Sequence, residues 1–140
     1  MREIAVGHSH TLHFCVPVTK TVPYLYPEAE PFRAMPEVFA TGFLVGFLEW
    51  ACMEALAPFL EEGEQSVGTL VDITHEAATP PGMTVTAQVR LDEVDGRRTR
   101  WSVEARDAAD VIARGYHERF TIDHDKFVAR LAKKAADASV

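Results

Sequence analysis

The sequence predicts an α+β fold in which a curved antiparallel sheet wraps around one long buried helix. Two observations carry this expectation. A segment opening at Thr41 is apolar on nearly every side, and the four segments after it read as strands joined by short turns. At 140 residues and 47% hydrophobic, the chain has the apolar material for one core. No composition shift divides it, so it reads as one domain over 1–140.

In residues 8–19, Leu12, Phe14 and Val16 alternate onto one face, which predicts a first strand with Pro17 near its end or on an edge. Residues 23–37 carry Pro23, Pro27, Pro31 and Pro36 and cannot form one long helix. Their aromatic side chains, Tyr24, Tyr26 and Phe32, still need cover, which predicts a folded lid of loops or short helices. The central helix is expected at about 41–57, with Thr41 as a suitable N-cap and Pro58 and Gly63 as its stop. Such an all-round apolar helix belongs in an interior.

Strands are expected at 66–77, 83–94, 98–107 and 111–123. Alternation is clearest in Val85, Ala87, Val89, Leu91 and in Trp101, Val103, Ala105. Pro80-Pro81-Gly82 breaks the first pair, Asp95-Gly96 is a hairpin signal, and Asp107 to Asp110 turns once more. Residues 125–136 form an amphipathic helix whose final basic residues suit its C-terminal dipole. A single apolar helix followed by a meander able to wrap it is the hot-dog arrangement. Its open sheet edges predict pairing across a homodimer.

Composition excludes several functions. The formal net charge of −7 argues against a nucleic-acid partner, whose phosphates demand a basic patch. No apolar h-region opens the chain, and no stretch reaches the roughly 20 apolar residues of a membrane span. A cytoplasmic protein without a membrane partner is expected. Cys15 and Cys52 are too few and too distant for a disulfide framework or a metal cluster, and are expected as buried thiols. No zinc motif, phosphate loop, nucleophile elbow or dinucleotide fingerprint occurs, and no metal or separate cofactor is expected.

Four polar residues stand in surroundings that give them two readings each. Thr41 is a helix cap, or a hydroxyl beside free helix N–H groups able to hold a thioester carbonyl and its oxyanion. Glu49, between Leu48 and Trp50, is a structural partner for a buried base, or a catalytic carboxylate facing a cavity, since an unpaired buried charge is costly. His75, beside a rigid turn, is a core histidine or a proton carrier. Arg119 forms a cross-strand ion pair with acids on the Glu118 or Glu76 side, or belongs to the site.

Several separated motifs resemble the fluoroacetyl-CoA thioesterase family of hot-dog proteins. They are Leu25-Tyr26-Pro27-Glu28, Pro36 to Phe43, Glu49-Trp50-Ala51-Cys52, Thr74-His75, Ala78 to Gly82, Gly96-Arg97-Arg98 and His117-Glu118-Arg119. The resemblance runs from about residue 6 to residue 130. It implies catalytic roles for Thr41, Glu49 and His75, and substrate contacts for Gly68 and Arg119. It also implies hydrolysis of a small acyl-CoA, with coenzyme A entering as part of the substrate. The family's lid carries two phenylalanines; here the first is Phe32 and the second position is Met35, with Phe39 as a third apolar candidate. Met35 leaves preference for the fluorinated substrate open. A non-hydrolytic acyl-CoA binding or sensing protein is the alternative, since fold alone does not fix function.

Overall fold

The computed structural model describes residues 1–139. Strand β1 (Ser9–Cys15) leads through two 3-10 turns and the one-turn helix α1 (Glu30–Arg33) into the central helix α2 (Thr41–Leu56). Strands β2 (Glu64–His75), β3 (Thr84–Asp95), β4 (Arg98–Arg106) and β5 (Val111–Asp123) follow, then helix α3 (His124–Ala138). They make one five-stranded sheet in the order β1-β3-β4-β5-β2, with every neighbouring pair antiparallel. This is the hot-dog arrangement expected from the sequence, with β1 and β2 as its edges.

Element limits differ from the sequence reading where a local hydrogen bond or proline decides them. The first strand is shorter than 8–19 because Val16 bonds to Met83 and Pro17 cannot donate to a ladder. Strand β2 starts two residues earlier than expected and ends at His75, where the chain turns toward Pro80-Pro81-Gly82. Gly82 and Gly96 take the left-handed backbone that their turns require, with φ of 91° and 60°. The lid folds on itself: Phe32 packs against Tyr26 at 5.4 Å between ring centroids.

The core lies between α2 and the middle of the sheet. Leu44, Phe47, Leu48, Ala51, Cys52, Ala55 and Leu56 form the buried face of the helix. They share one cluster with Val85, Ala87, Val89 and Leu91 of β3 and Trp101, Val103 and Ala105 of β4. Each large aliphatic side chain so buried contributes roughly 1.5–3 kcal/mol. The indole N–H of Trp101 donates to Thr99 Oγ1 at 2.9 Å, so the largest core side chain leaves no polar atom unmet.

One expectation is corrected here. The chain's own sheet covers only one face of α2; Gly42, Gly46, Trp50, Met53 and Glu54 are exposed. Residues Thr41–Phe59 are also long and apolar enough, by length and composition, to cross a membrane, with a mean hydropathy of 1.3. That corrects the sequence reading of no such stretch. The buried half of the helix packs on the sheet. The thiols differ too: Cys52 is buried but Cys15 is exposed.

Helix α3 begins directly after the sheet's last ladder pair with β2, Glu64 opposite Asp123. Asp123 caps it by accepting from the Lys126 amide at 3.0 Å. No residue of α3 is buried, and Val128 and Leu131 remain exposed. The helix continues to Ala138, so Lys133 and Lys134 sit inside it and its last turn holds no base, contrary to expectation.

Candidate active site

Ala40, with extended backbone, occupies the N-cap position of α2, and Thr41 is the first helical residue. The cap reading of Thr41 is therefore overturned by one position. Its hydroxyl, freed from capping, lies 2.7 Å from Nδ1 of His75. The first helical bond runs from the Leu44 amide to the Ala40 carbonyl, so the amides of Thr41, Gly42 and Phe43 have no partner within the helix. A hydroxyl, an imidazole and a helix N-terminus thus converge.

His75 is the last residue of β2, and its register opposite the buried Ala113 turns it to the helix side of the sheet. Its Nε2 is enclosed and makes no hydrogen bond. Burial pushes its pKa below that of a free imidazole, while the Ala77 backbone pulls in part the other way. The ring is accordingly neutral at neutral pH and can accept the Thr41 proton at Nδ1. The unused Nε2 faces outward from that pair as a second proton position.

Glu49 stands eight residues along α2 from Thr41, about 12 Å of helix rise away. It belongs to a different cluster. Arg119 Nη1 donates to Glu49 Oε1 at 3.1 Å and to His117 Nε2 at 3.1 Å. The Arg119 Nε and Nη2 donate to Ser66, to its hydroxyl and its carbonyl, both at 2.8 Å. His117 completes the set by donating from Nδ1 to the Leu70 carbonyl at 2.8 Å. Burial pushes the His117 pKa down, and a neutral ring is the form that can accept from Arg119. The guanidinium is held at three nitrogens and is 3% exposed.

Gly68 explains why Glu49 lies flat on β2. A Cβ at this position would come within 2.5 Å of Glu49 Oε1 and 3.2 Å of His117 Cε1. The strand bulges between Gly68 and Leu70, which shifts its pairing with β5. Glu49 itself is about a third exposed, not buried as the sequence suggested, because it sits at the rim of the helix's uncovered face. Its neighbour Cys52 is a different case: burial raises that thiol to about 12, so it is no nucleophile.

The sequence-derived residues therefore fall into two groups. Thr41 pairs with His75, while Glu49, Gly68 and Arg119 meet farther along β2. Arg119 pairs with Glu49 rather than with a cross-strand acid; Glu118 is taken by Arg98 and Arg100, and Glu76 by Arg114. Of the apolar candidates, Phe39 is buried beside Phe14 and Phe47, Phe32 is half-buried in the lid, and Met35 is exposed. The lid reaches α2 through Leu25, whose side chain lies against Gly42. Sequence reasoning missed His117 and Ser66. His117 stands two residues before Arg119, the strand spacing that puts both on one face.

Beside this second group, a groove of about 430 Å³ runs between α2 and the start of β2, lined by Trp50, Met53, Glu54, Ala57, Leu60, Gln65 and Ser66. Ser66 links it to Arg119. The groove is mostly apolar with a few polar groups, Glu54, Gln65 and Ser66, as small-molecule sites commonly are.

Comparison with known proteins gives a consistent result. The profile of the family described as fluoroacetyl-CoA-specific thioesterase, FlK, matches residues 25–125. The chain is 54% identical over 129 residues to the fluoroacetyl-CoA thioesterase of Streptantibioticus cattleyicolor, covering 92% of this chain and 93% of that protein. A solved structure of the fluoroacetyl-CoA thioesterase FlK, 52% identical, superimposes with a TM-score of 0.93 over 94% of this chain and 98% of its own. A thioesterase superfamily member from Thermus thermophilus, 32% identical, covers 99% of this chain and 100% of its own at a TM-score of 0.86. The chain belongs to the fluoroacetyl-CoA-specific thioesterase family.

Proposed function

We propose that this protein hydrolyses small acyl-CoA thioesters, fluoroacetyl-CoA among them, at a site shared between two copies of the chain. The observation that carries the reading is the Thr41–His75 hydrogen bond at a helix N-terminus. FlK structures containing acetyl-CoA, or fluoroacetate with CoA, support the substrate class. In the proposed step His75 takes a proton from Thr41, or from a water held by it, as the oxygen attacks the thioester carbonyl. The free amides of α2 hold the oxyanion, the C–S bond breaks, and the proton passes to the departing thiolate. Where Thr41 is the attacking oxygen, a water deprotonated by His75 then cleaves the acyl ester, releasing the acid and returning the proton to Thr41.

The distance of about 12 Å between Thr41 and Glu49 supports a shared site. One chain does not bring the three residues together. Strand β2 is an open edge, with Leu70 and Val71 exposed on it. Antiparallel pairing of β2 with its own copy, about an axis near Leu70 to Asp72, runs the His75 end of one chain along the Ser66–Gly68 half of the other. Thr41 and His75 then face Glu49 and Arg119 of the partner subunit. The same pairing covers the bare edge and the exposed Trp50 and Met53.

Two experiments test this reading. Free thiol release from acetyl-CoA and fluoroacetyl-CoA tests hydrolysis directly; tight binding without release would move the protein to the sensing alternative. Mixing two inactive variants, Thr41→Ala and Glu49→Gln, tests the shared site. Heterodimers keep one intact site, so random exchange should restore roughly a quarter of full activity. No restoration after verified subunit exchange would place each site within one chain.

A further inference from the structure

Resting on the acyl-CoA reading above, we infer that the cleft between Arg97 and helix α3 binds the phosphates of the coenzyme A moiety. The cleft, about 210 Å³, is lined by Arg97, Phe120, Thr121, Ile122, Asp123, Lys126 and Arg130. Three cations therefore surround one small concavity in a chain of net charge −7. Arg130 also borders a second cleft with Lys133, Lys134 and Asp137, so a net positive surface continues along α3. Three of the four lysines of the chain lie on this helix.

The cations of this cleft are less tightly paired than the arginines of the sheet. Arg98, Arg100, Arg106, Arg114 and Arg119 each contact a carboxylate. Among the described residues, Lys126, Arg130, Lys133 and Lys134 enter no ion pair, and Arg97 reaches Glu64 only at 3.4 Å while half exposed. Like charges gathered in excess of counter-charge repel, and a bound polyanion relieves that repulsion. Asp123 is the one carboxylate in the lining, and against Arg97, Lys126 and Arg130 it leaves the cleft net positive. Phe120, 42% exposed in the same cleft, offers a ring face on which a purine can stack.

The location suits a cofactor whose phosphates lie far from its thioester. Phe120 follows Arg119 in β5, and Asp123 pairs with Glu64 at the end of β2 away from His75. In the antiparallel pairing proposed above, that end lies beside the Thr41–His75 pair of the other chain. The cations then flank the mouth of the shared site and leave the pantetheine arm to bridge the interval. Charge-assisted bonds to phosphate supply affinity there without touching the reacting atoms.

The test uses the full-length protein and the double variant Lys126→Ala/Arg130→Ala, whose side chains are exposed and whose fold is checked by circular dichroism. Acetyl-CoA is compared with acetyl-pantetheine, which carries no such phosphates. The expected result is a KM for acetyl-CoA raised roughly 10- to 100-fold with kcat little changed, and no matching rise for acetyl-pantetheine. Calorimetry with 3′-phosphoadenosine 5′-diphosphate should show binding to the unmodified protein that weakens with salt and is lost in the variant. An unchanged KM for acetyl-CoA, or equal shifts for both thioesters, would overturn the assignment. So would inorganic phosphate binding as tightly as the nucleotide. If neither thioester is hydrolysed by the unmodified protein, the functional reading fails, and the nucleotide titration still decides the phosphate site.

Discussion

Gly68 and Glu49 are matched across the gap between strand and helix: the missing side chain of one is the space the carboxylate of the other occupies. Gly68→Ala should therefore displace Glu49 from Arg119. The overlap of a Cβ at 2.5 Å with Oε1 predicts a loss of about 1–3 kcal/mol, on the scale of overpacking. Activity should fall more than stability alone explains. Thermal unfolding and steady-state kinetics on the same preparation check this, and a variant with unchanged kcat/KM would show that Glu49 needs no such seat.

Thr41→Ala and His75→Ala should each lower kcat by roughly 10²- to 10⁴-fold while the circular dichroism spectrum is kept. Both side chains sit at the ends of their elements and neither supports the core cluster. The double variant should be scarcely worse than either single one, because the two act through one hydrogen bond. Multiplying losses would show that they act separately.

Burial depresses the pKa of both His75 and His117. In the proposed mechanism the working form is the neutral one, so the acid limb of kcat/KM should fall below the ordinary imidazole value of about 6.5. Stability follows the same sign. A depressed folded-state pKa contributes stability that is present above the unfolded value and lost as pH falls through the folded one. Unfolding midpoints should thus drop as pH falls below about 6.5, and His117→Gln should flatten that slope. A midpoint that rises on acidification would contradict the burial of neutral rings.

The two thiols should separate cleanly. Cys15 is exposed, and the buried Cys52 is raised to about 12. An aromatic disulfide reagent at pH 8 should titrate one thiol in the native protein and two in denaturant. Thiolate, not thiol, is the reactive form. Rapid native labelling of both would mean that α2 opens readily.

The lid meets the start of the helix where Leu25 lies against Gly42. A Cβ on residue 42 would lie 2.9 Å from Leu25 Cδ2, the far end of a flexible side chain. Gly42→Ala should therefore cost little stability but push the lid outward from Thr41, raising KM and weakening selection between fluoroacetyl-CoA and acetyl-CoA. Met35→Phe should change that ratio by less than about tenfold, since Met35 is exposed and a methylene-sized difference gives only modest discrimination. The ratio of kcat/KM for the two thioesters measures both.

Much of the fold could be read from periodicity because the sheet has a buried and an open face. Val85 to Leu91 and Trp101 to Ala105 alternate cleanly, and the structure buries those residues. Alternation says less where a strand lies at an edge, and β2 was misplaced by two residues at each end. Thr41, Glu49 and His75 stood out as polar side chains in apolar surroundings. Nothing in spacing alone marks Gly68, whose part lies in a close approach from a helix about 20 residues earlier. His117 was hidden because its partners, Leu70 and Arg119, come from two strands. The uncovered face of α2 could not be inferred, since in sequence an exposed apolar side chain reads like a buried one.

The position of α2 in the chain also sets an order of events during synthesis. Residues Thr41–Phe59 leave the ribosome before any of β3 or β4, the strands whose side chains bury them. Growth at about 5–20 residues per second leaves this segment without its cover for several seconds while the sheet is made. For that interval a helix of bilayer-spanning length and hydropathy is presented to whatever scans emerging chains. Cover arrives only when β4 pairs with β3, a delay set by the left-to-right synthesis of this fold.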